Sequence, residues 1–221
     1  MLGLFVVCGK PRGQPIGPYA ASVVYFAGLG FGFIAVELAL LQNLTLLLGH
    51  PIFTLSLLLF TLLASGGLGS AVSRRVPAGT ACLVVAGLGA VEALALPRLV
   101  PALMPLTLPA REALAVALIA PLGFVMGIPF PRGLQMTGRG ALAPPPFYWG
   151  LNGIMSVIGS VATVFVALRV GFQAAMLVGS GCYVLAAFAS RQALTNSVTD
   201  IEASAARVQP STTLDYSHTE T

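Results

Sequence analysis

The sequence predicts an all-α fold, a polytopic membrane helix bundle with about six transmembrane helices and both termini cytosolic. Three observations predict it. Of 221 residues only 8% are charged, against about 25% in an ordinary soluble domain, while 57% are hydrophobic and the mean hydropathy is +0.91. Six apolar stretches reach or approach the roughly 20 residues that a helix needs to cross a hydrocarbon core about 30 Å thick. The basic residues also favour one side of those stretches. So few charges cannot keep a globular surface wetted, which excludes a water-soluble enzyme. General disorder is excluded as well, because low hydrophobicity is what keeps a chain unfolded.

The first stretch runs from Tyr19 to Leu41 and can continue to Leu48. The second spans Pro51 to Ser73, with proline tolerated where the first helical turn needs no donor. The third covers Ala78 to Leu96. The fourth lies between Arg111 and Phe130 and is interrupted by Pro121. The fifth runs from Phe147 to Leu168 and the sixth from Val170 to Ser190. These are continuous apolar runs without period-two alternation, so helices are expected rather than a barrel. With six spans, one side receives Lys10, Arg12, Arg74, Arg75, Arg132, Arg139, Arg191 and Arg207. The other receives Arg98, Arg111 and Arg169. The positive-inside rule therefore places both termini in the cytosol. The net charge of +4 speaks of orientation in a bilayer, not of nucleic acid.

The ends are expected to stand outside the bundle: residues 1–18 as a cytosolic lead-in, and 191–221 as a polar, Ser- and Thr-rich tail without regular structure. The run Leu2–Val7 is too short for a signal-peptide core, and Val7 is a poor cleavage residue for a lipoprotein reading of Cys8. Cys8, Cys82 and Cys182 lie too far apart in sequence to suggest a thiol motif. His50 and His218 are isolated, and no nucleophile–base pattern, zinc spacing or phosphate loop occurs. No catalytic residue, metal or cofactor is expected.

Ionisable side chains inside a membrane cost about 2.5–3.5 kcal/mol each on insertion scales and so demand a reason. Glu37 lies deep in the first span and Glu92 near the far end of the third. Both fall in the outer half of the bilayer, on the side of Gln42, Asn43, His50, Arg98 and Arg111. These residues form a candidate intramembrane polar site, and Glu37 would bind a cation or titrate there. The structural alternative is that Glu37 bonds a neighbouring helix and Glu92 snorkels to the interface. Asn43-Leu44-Thr45 matches a glycosylation sequon, read as chance at a membrane edge.

Gly28 and Gly32 form a GxxxG with Gly30 between them. Ser65 with Gly69, and Ser156 with Ser160, repeat the spacing of small residues four apart. Small residues let helix backbones approach closely in lipid, so helix packing is expected at these positions. A dinucleotide loop is excluded because no strand precedes the glycines.

Between spans four and five, Gly127-Ile128-Pro129-Phe130-Pro131-Arg132-Gly133 ends one helix abruptly, since two prolines remove backbone donors. Phe147-Tyr148-Trp149-Gly150-Leu151-Asn152-Gly153 opens the next, with aromatic side chains suited to an interface. Asn152 needs a hydrogen-bond partner, and carbonyls of the broken end near Pro129 would supply one. Pro129, Pro131, Arg132, Trp149 and Asn152 are thus a candidate cytosolic clamp, with a substrate gate as the alternative.

Three motifs carry a family resemblance: YFAGLGFGFIAVELALLQNLTLLLGHPIFTLSLLLFTLLASGGLGS, PLGFVMGIPFPRGL and FYWGLNGIMSVIGSVATVFVAL. In this order they resemble the membrane part of bacterial spermidine-synthase-like fusion proteins, over roughly residues 20–190. The resemblance implies that Glu37, Gln42, His50, Pro51, Pro129, Pro131, Trp149 and Asn152 occupy recurrent positions. Relatives often carry Arg after the Gln, whereas Asn43 stands here. In that family the spans accompany a soluble aminopropyltransferase-like domain. These 221 residues show no such domain, so no polyamine synthesis is expected of them, only anchoring or partnering of a synthase-like enzyme. A weaker resemblance is to half of a major-facilitator transporter, through the topology and the loop Gly67–Arg75, which lacks that family's acidic residue. It implies a transporter for polyamines or other small cations, completed as a homodimer. The expected partners are thus the lipid bilayer, a soluble synthase-like protein and a second copy. The expected location is a bacterial inner membrane, and nucleic acid is not expected.

Overall fold

The computed structural model describes residues 16–137 and 143–208. Every regular element among them is helical: α1 (Ile16–Leu48), α2 (Pro51–Val72), α3 (Ala78–Leu103), α4 (Leu108–Met126), α5 (Pro129–Thr137), α6 (Pro145–Val170) and α7 (Phe172–Val208). A 3₁₀ turn at Ser73–Arg75 closes α2. All but the short α5 are long and apolar enough to span a membrane, making six spans with α5 continuing the fourth. Helix is what a lipid solvent demands, because it pairs every backbone donor and acceptor within the segment.

The boundaries show where local signals are overruled. α3 passes Leu96 and runs through Pro97 and Pro101 to Leu103. α4 is not interrupted at Pro121 but continues to Met126. A proline inside a membrane helix costs one backbone bond, and neighbouring helices make that tolerable. The true stop comes at Gly127 and Ile128, after which Pro129 opens α5. α7 continues to Val208, into the stretch expected to lack regular structure. Cys8, Lys10, Arg12, Arg139 and His218 lie outside the described residues.

Two glycines turn the chain. Gly49, between α1 and α2, has φ +80°, and Gly171, between α6 and α7, has φ +103°. A side chain at such angles is strained, so the one-residue reversal into α7 depends on Gly171.

α1 is the axle of the bundle. It packs along α7 on one side and α6 on another, and it also meets α2; α3 packs on α7, and α2 pairs with α4. Phe26, Val36, Leu40, Leu44 and Leu47 of α1 are fully enclosed. One end of the bundle gathers Tyr25, Ser73, α5, Tyr148 and Ser190, with Arg74, Arg75, Arg132 and Arg191. The opposite end holds Leu47, His50, Arg111 and Arg169.

Glycines set the closest approaches. A Cβ on Gly28 would lie 3.1 Å from the Cys182 carbonyl oxygen, and one on Gly32 would lie 3.0 Å from that of Gly179. Gly69 meets the Phe124 carbonyl, and Ser65 abuts Gly123 while donating to the Thr61 carbonyl at 2.6 Å. On α6 the small residues in contact with α1 include Ser156, whose hydroxyl donates to the Gly30 carbonyl at 3.1 Å, and Gly159, against Phe31 and Ile34. Ser160 instead bonds its own helix at Val157, 2.8 Å away.

Gly69→Leu forces α2 off α4 and is expected to cost roughly 1–3 kcal/mol. Gly87, with nothing near its missing side chain, serves as control: Gly87→Ala is expected to be neutral or to stabilise by up to about 1 kcal/mol. Thermal unfolding of the two variants in mild detergent checks this. Equal melting temperatures for both would refute the close contact at Gly69.

Candidate functional site

Among the described residues no hydrogen bond or ion pair joins the residues of the expected outer polar site to one another. Glu37 is half-buried on α1 and has no hydrogen-bond or ion-pair partner among the described residues. Gln42 is exposed. Asn43 donates to the Ala39 carbonyl of its own helix at 2.8 Å. His50 is exposed, and its carbonyl accepts from the backbone and hydroxyl of Thr54, both at 2.9 Å. Glu92 does not snorkel. It is 8% exposed, and its Oε2 is buried without a partner among the described residues. Its position one turn beyond Gly89, which abuts Ser180, puts it on the α3 face that packs against α7.

The reason the carboxylates lack a cation is visible in Arg111. Its guanidinium donates to three carbonyls: Leu106 at 2.9 Å, Leu47 at 3.2 Å, and Met104. These carbonyls belong to the end of α1 and to the turn joining α3 to α4. Helix C-termini leave acceptors without intrahelical donors, and a cation suits them electrostatically. Arg111 is therefore a clip between helix ends. Its signal in the sequence is its position at the first turn of α4, where a counter-charge for the glutamates looks equally good.

At the other end the break after α4 is locked by aromatic residues. The Tyr25 hydroxyl donates to the Pro129 carbonyl at 2.7 Å. The Phe26 ring stacks on Tyr148, centroids 4.4 Å apart, and meets Phe130 edge-on at 5.5 Å. Trp149 meets Phe130 edge-on at 4.9 Å. The hydroxyls of Ser22 and Tyr148 are 3.0 Å apart. Gly133 lets α5 lie on the rings of Tyr25 and Phe26. Arg132 reaches Gln135 at 3.4 Å, which in turn reaches Ser73 at 3.4 Å, while the Arg132 Nε is buried without a partner among the described residues.

Asn152 does not bond the broken helix end. Tyr25 has taken the Pro129 carbonyl, and the Asn152 side chain has no hydrogen-bond partner among the described residues. It sits against α1 at Gly30, whose missing side chain leaves room for the Asn152 carbonyl and Oδ1. Ser156 holds this register by donating to the carbonyls of Gly30 at 3.1 Å and Asn152 at 2.9 Å. Sequence reasoning places Asn152 correctly near the break but misses Tyr25 as the closer donor.

Between the break and α6 lies a cavity of about 350 Å³, lined among others by Phe33, Ser70, Pro129, Phe130, Trp149 and Asn152. No charged residue lines it among the described residues. No group of three or more metal-binding side chains occurs among the described residues.

Tyr25→Phe removes the donor to Pro129 and is expected to destabilise by about 1 kcal/mol. Arg111→Leu removes three charge-assisted bonds and is expected to cost more, roughly 2–4 kcal/mol, with Arg111→Lys intermediate. Chemical or thermal unfolding in micelles ranks the three, and a milder effect of Arg111→Leu than of Tyr25→Phe would refute the clip. In comparisons with known proteins, no family model, no curated protein and no solved structure matches this chain.

Proposed function

We propose that this chain is a non-catalytic integral membrane module of a bacterial inner membrane that anchors or partners a soluble spermidine-synthase-like enzyme at its basic end. The observation that carries this reading is how the fully buried hydroxyls are satisfied, all but that of Thr163 having a partner among the described residues. Thr54, Ser65, Ser180 and Ser190 each donate to a carbonyl of their own helix, at distances of 2.6–3.0 Å. Residues bonded in this way offer no chain of polar groups through the bundle. The chemistry that remains accessible lies at the end carrying the exposed Arg74, Arg75 and Arg191, where the aromatic lock holds α5 in place. The resemblance of the three sequence motifs to the membrane part of synthase fusions points to the same partner.

In this reading both termini and the basic end face the cytosol, as the positive-inside rule requires. A reporter active only in the cytosol, fused after Thr221, is expected to be active, and a periplasm-dependent one silent. The partner is tested by co-purification of the full chain with a spermidine-synthase-like protein encoded beside it. Reversing Arg74 and Arg75 together to Glu is expected to weaken capture roughly five- to tenfold. Absence of capture by the unaltered chain would sink the reading.

One feature favours a second reading, transport of a small cation. Leu29, Phe33 and Glu37 are spaced four apart on α1, so they share one stripe, and the first two line the cavity. Glu37 stands one turn beyond them. Uptake of labelled spermidine into proteoliposomes, lost in Glu37→Gln, is the outcome that selects this reading over the module.

A further inference from the structure

The cavity beside the helix break has the makings of a ligand site unrelated to either carboxylate. Its floor is α1, through Leu29 and Phe33. Ser70 enters from α2, Trp149 and Asn152 enter from α6, and Phe130 enters from α5. No substantial packing joins α6 to α2 or α4 among the described residues, so these helices leave a gap between them. A volume of about 350 Å³ falls within the range of small-molecule sites, which are typically apolar with a few convergent polar groups.

The chemistry of the lining narrows the occupant. An anion or a metal ion would lose water here without meeting a counter-charge among the described lining residues, which is costly. A neutral ligand carries no such cost. The walls are aromatic, from Phe33, Phe130, Trp149 and Tyr183, and aromatic faces and edges favour a flat ring as partner. Two polar side chains interrupt them from helices that share no substantial packing among the described residues, Ser70 on α2 and Asn152 on α6. Both lack a side-chain hydrogen-bond partner among the described residues, and both carry donors.

We infer that this cavity binds a neutral, planar ring with hydrogen-bond acceptors on two opposite edges and an aliphatic tail, the chemistry of a membrane quinone head group. Ser70 donates to one carbonyl and the Asn152 amide to the other. The ring lies against Trp149 and Phe130, and the tail leaves between α6 and α2 into the bilayer. Gly30 is part of the device, since any side chain there would displace Asn152.

The sequence contains one tryptophan, and it lines the cavity, so Trp149 fluorescence reports occupancy directly. The full chain in phosphatidylcholine nanodiscs is titrated with a benzoquinone carrying a single isoprenyl unit. Saturable quenching is expected. Ser70→Ala and Asn152→Leu are each expected to raise the apparent Kd about three- to tenfold. A competition on the unaltered protein is independent of how the variants fold. The same tail on a benzene ring without carbonyls is expected to displace the quinone at least about tenfold less well, as two lost hydrogen bonds require. Linear quenching that never saturates means partition into lipid and overturns the proposal. Equal displacement by the ring without carbonyls, or displacement by spermidine, overturns it too.

Discussion

The bundle depends on what α1 lacks. Gly28 and Gly32 face α7, and Gly30 faces α6, so a single helix accepts two neighbours at backbone distance on two different faces. Lipid tails are as apolar as leucine, and helix association in a membrane therefore rests on close van der Waals contact rather than on burial from water. With three glycines within five residues, α1 gains that contact twice over. The enclosed side chains of Phe26, Val36 and Leu40 follow from this position at the centre. So does the cavity, because α6 is drawn onto α1 at Gly30 and Gly159 while α2 is drawn onto α4 at Gly66 and Gly69. The two halves of the bundle lean on different partners and leave space between them.

The same division explains the break after α4. A chain passing from α4 toward α6 must cross the end of that space. Regular bonding stops at Gly127 and Ile128 and resumes in α5 at Pro129, and a donor from α1 to the Pro129 carbonyl ties the new helix to its neighbour. Tyr25 supplies it from α1, one helical turn before Gly28. The phenol is useful because its ring also packs edge-on with Phe26, 5.2 Å between centroids. One residue thus meets a polar need at its tip and an apolar one along its body.

The fold is legible in the sequence because its signals are long. Six apolar runs and the excess of basic residues on one side require no knowledge of contacts, and the glycine and serine spacings identify packing faces from period alone. Three kinds of information are not legible. The third stretch is expected to end at Leu96 and the fourth to be interrupted by Pro121, yet tertiary neighbours carry the helices through Pro97, Pro101 and Pro121, which no local rule expresses. Tyr25, not Asn152, bonds the Pro129 carbonyl, while Asn152 lies against Gly30, a pairing set by how α1, α5 and α6 pack and absent from the sequence. Arg111 looks like a counter-charge for glutamates because both lie at one side of the membrane, but helix-end carbonyls are nearer. Sharing a depth in the bilayer is a much weaker statement than sharing a face.

That distinction separates the two carboxylates. Each carries an insertion cost of about 2.5–3.5 kcal/mol at mid-membrane, and neither meets a described cation that would offset it. Glu37 is half-buried on the stripe that leads from the cavity, so its cost falls wherever water or a ligand can reach it. Glu92 is enclosed between α3 and α7 with one oxygen unpaired, and no such relief is open to it. A side chain that only stabilised packing would be replaced there by an isosteric apolar or amide group without loss, because removing an unsatisfied buried polar atom is neutral or favourable. Glu37 therefore holds a position suited to exchange with its surroundings. Glu92 meets no hydrogen-bond or ion-pair partner among the described residues, so its place between α3 and α7 is one that packing alone does not explain.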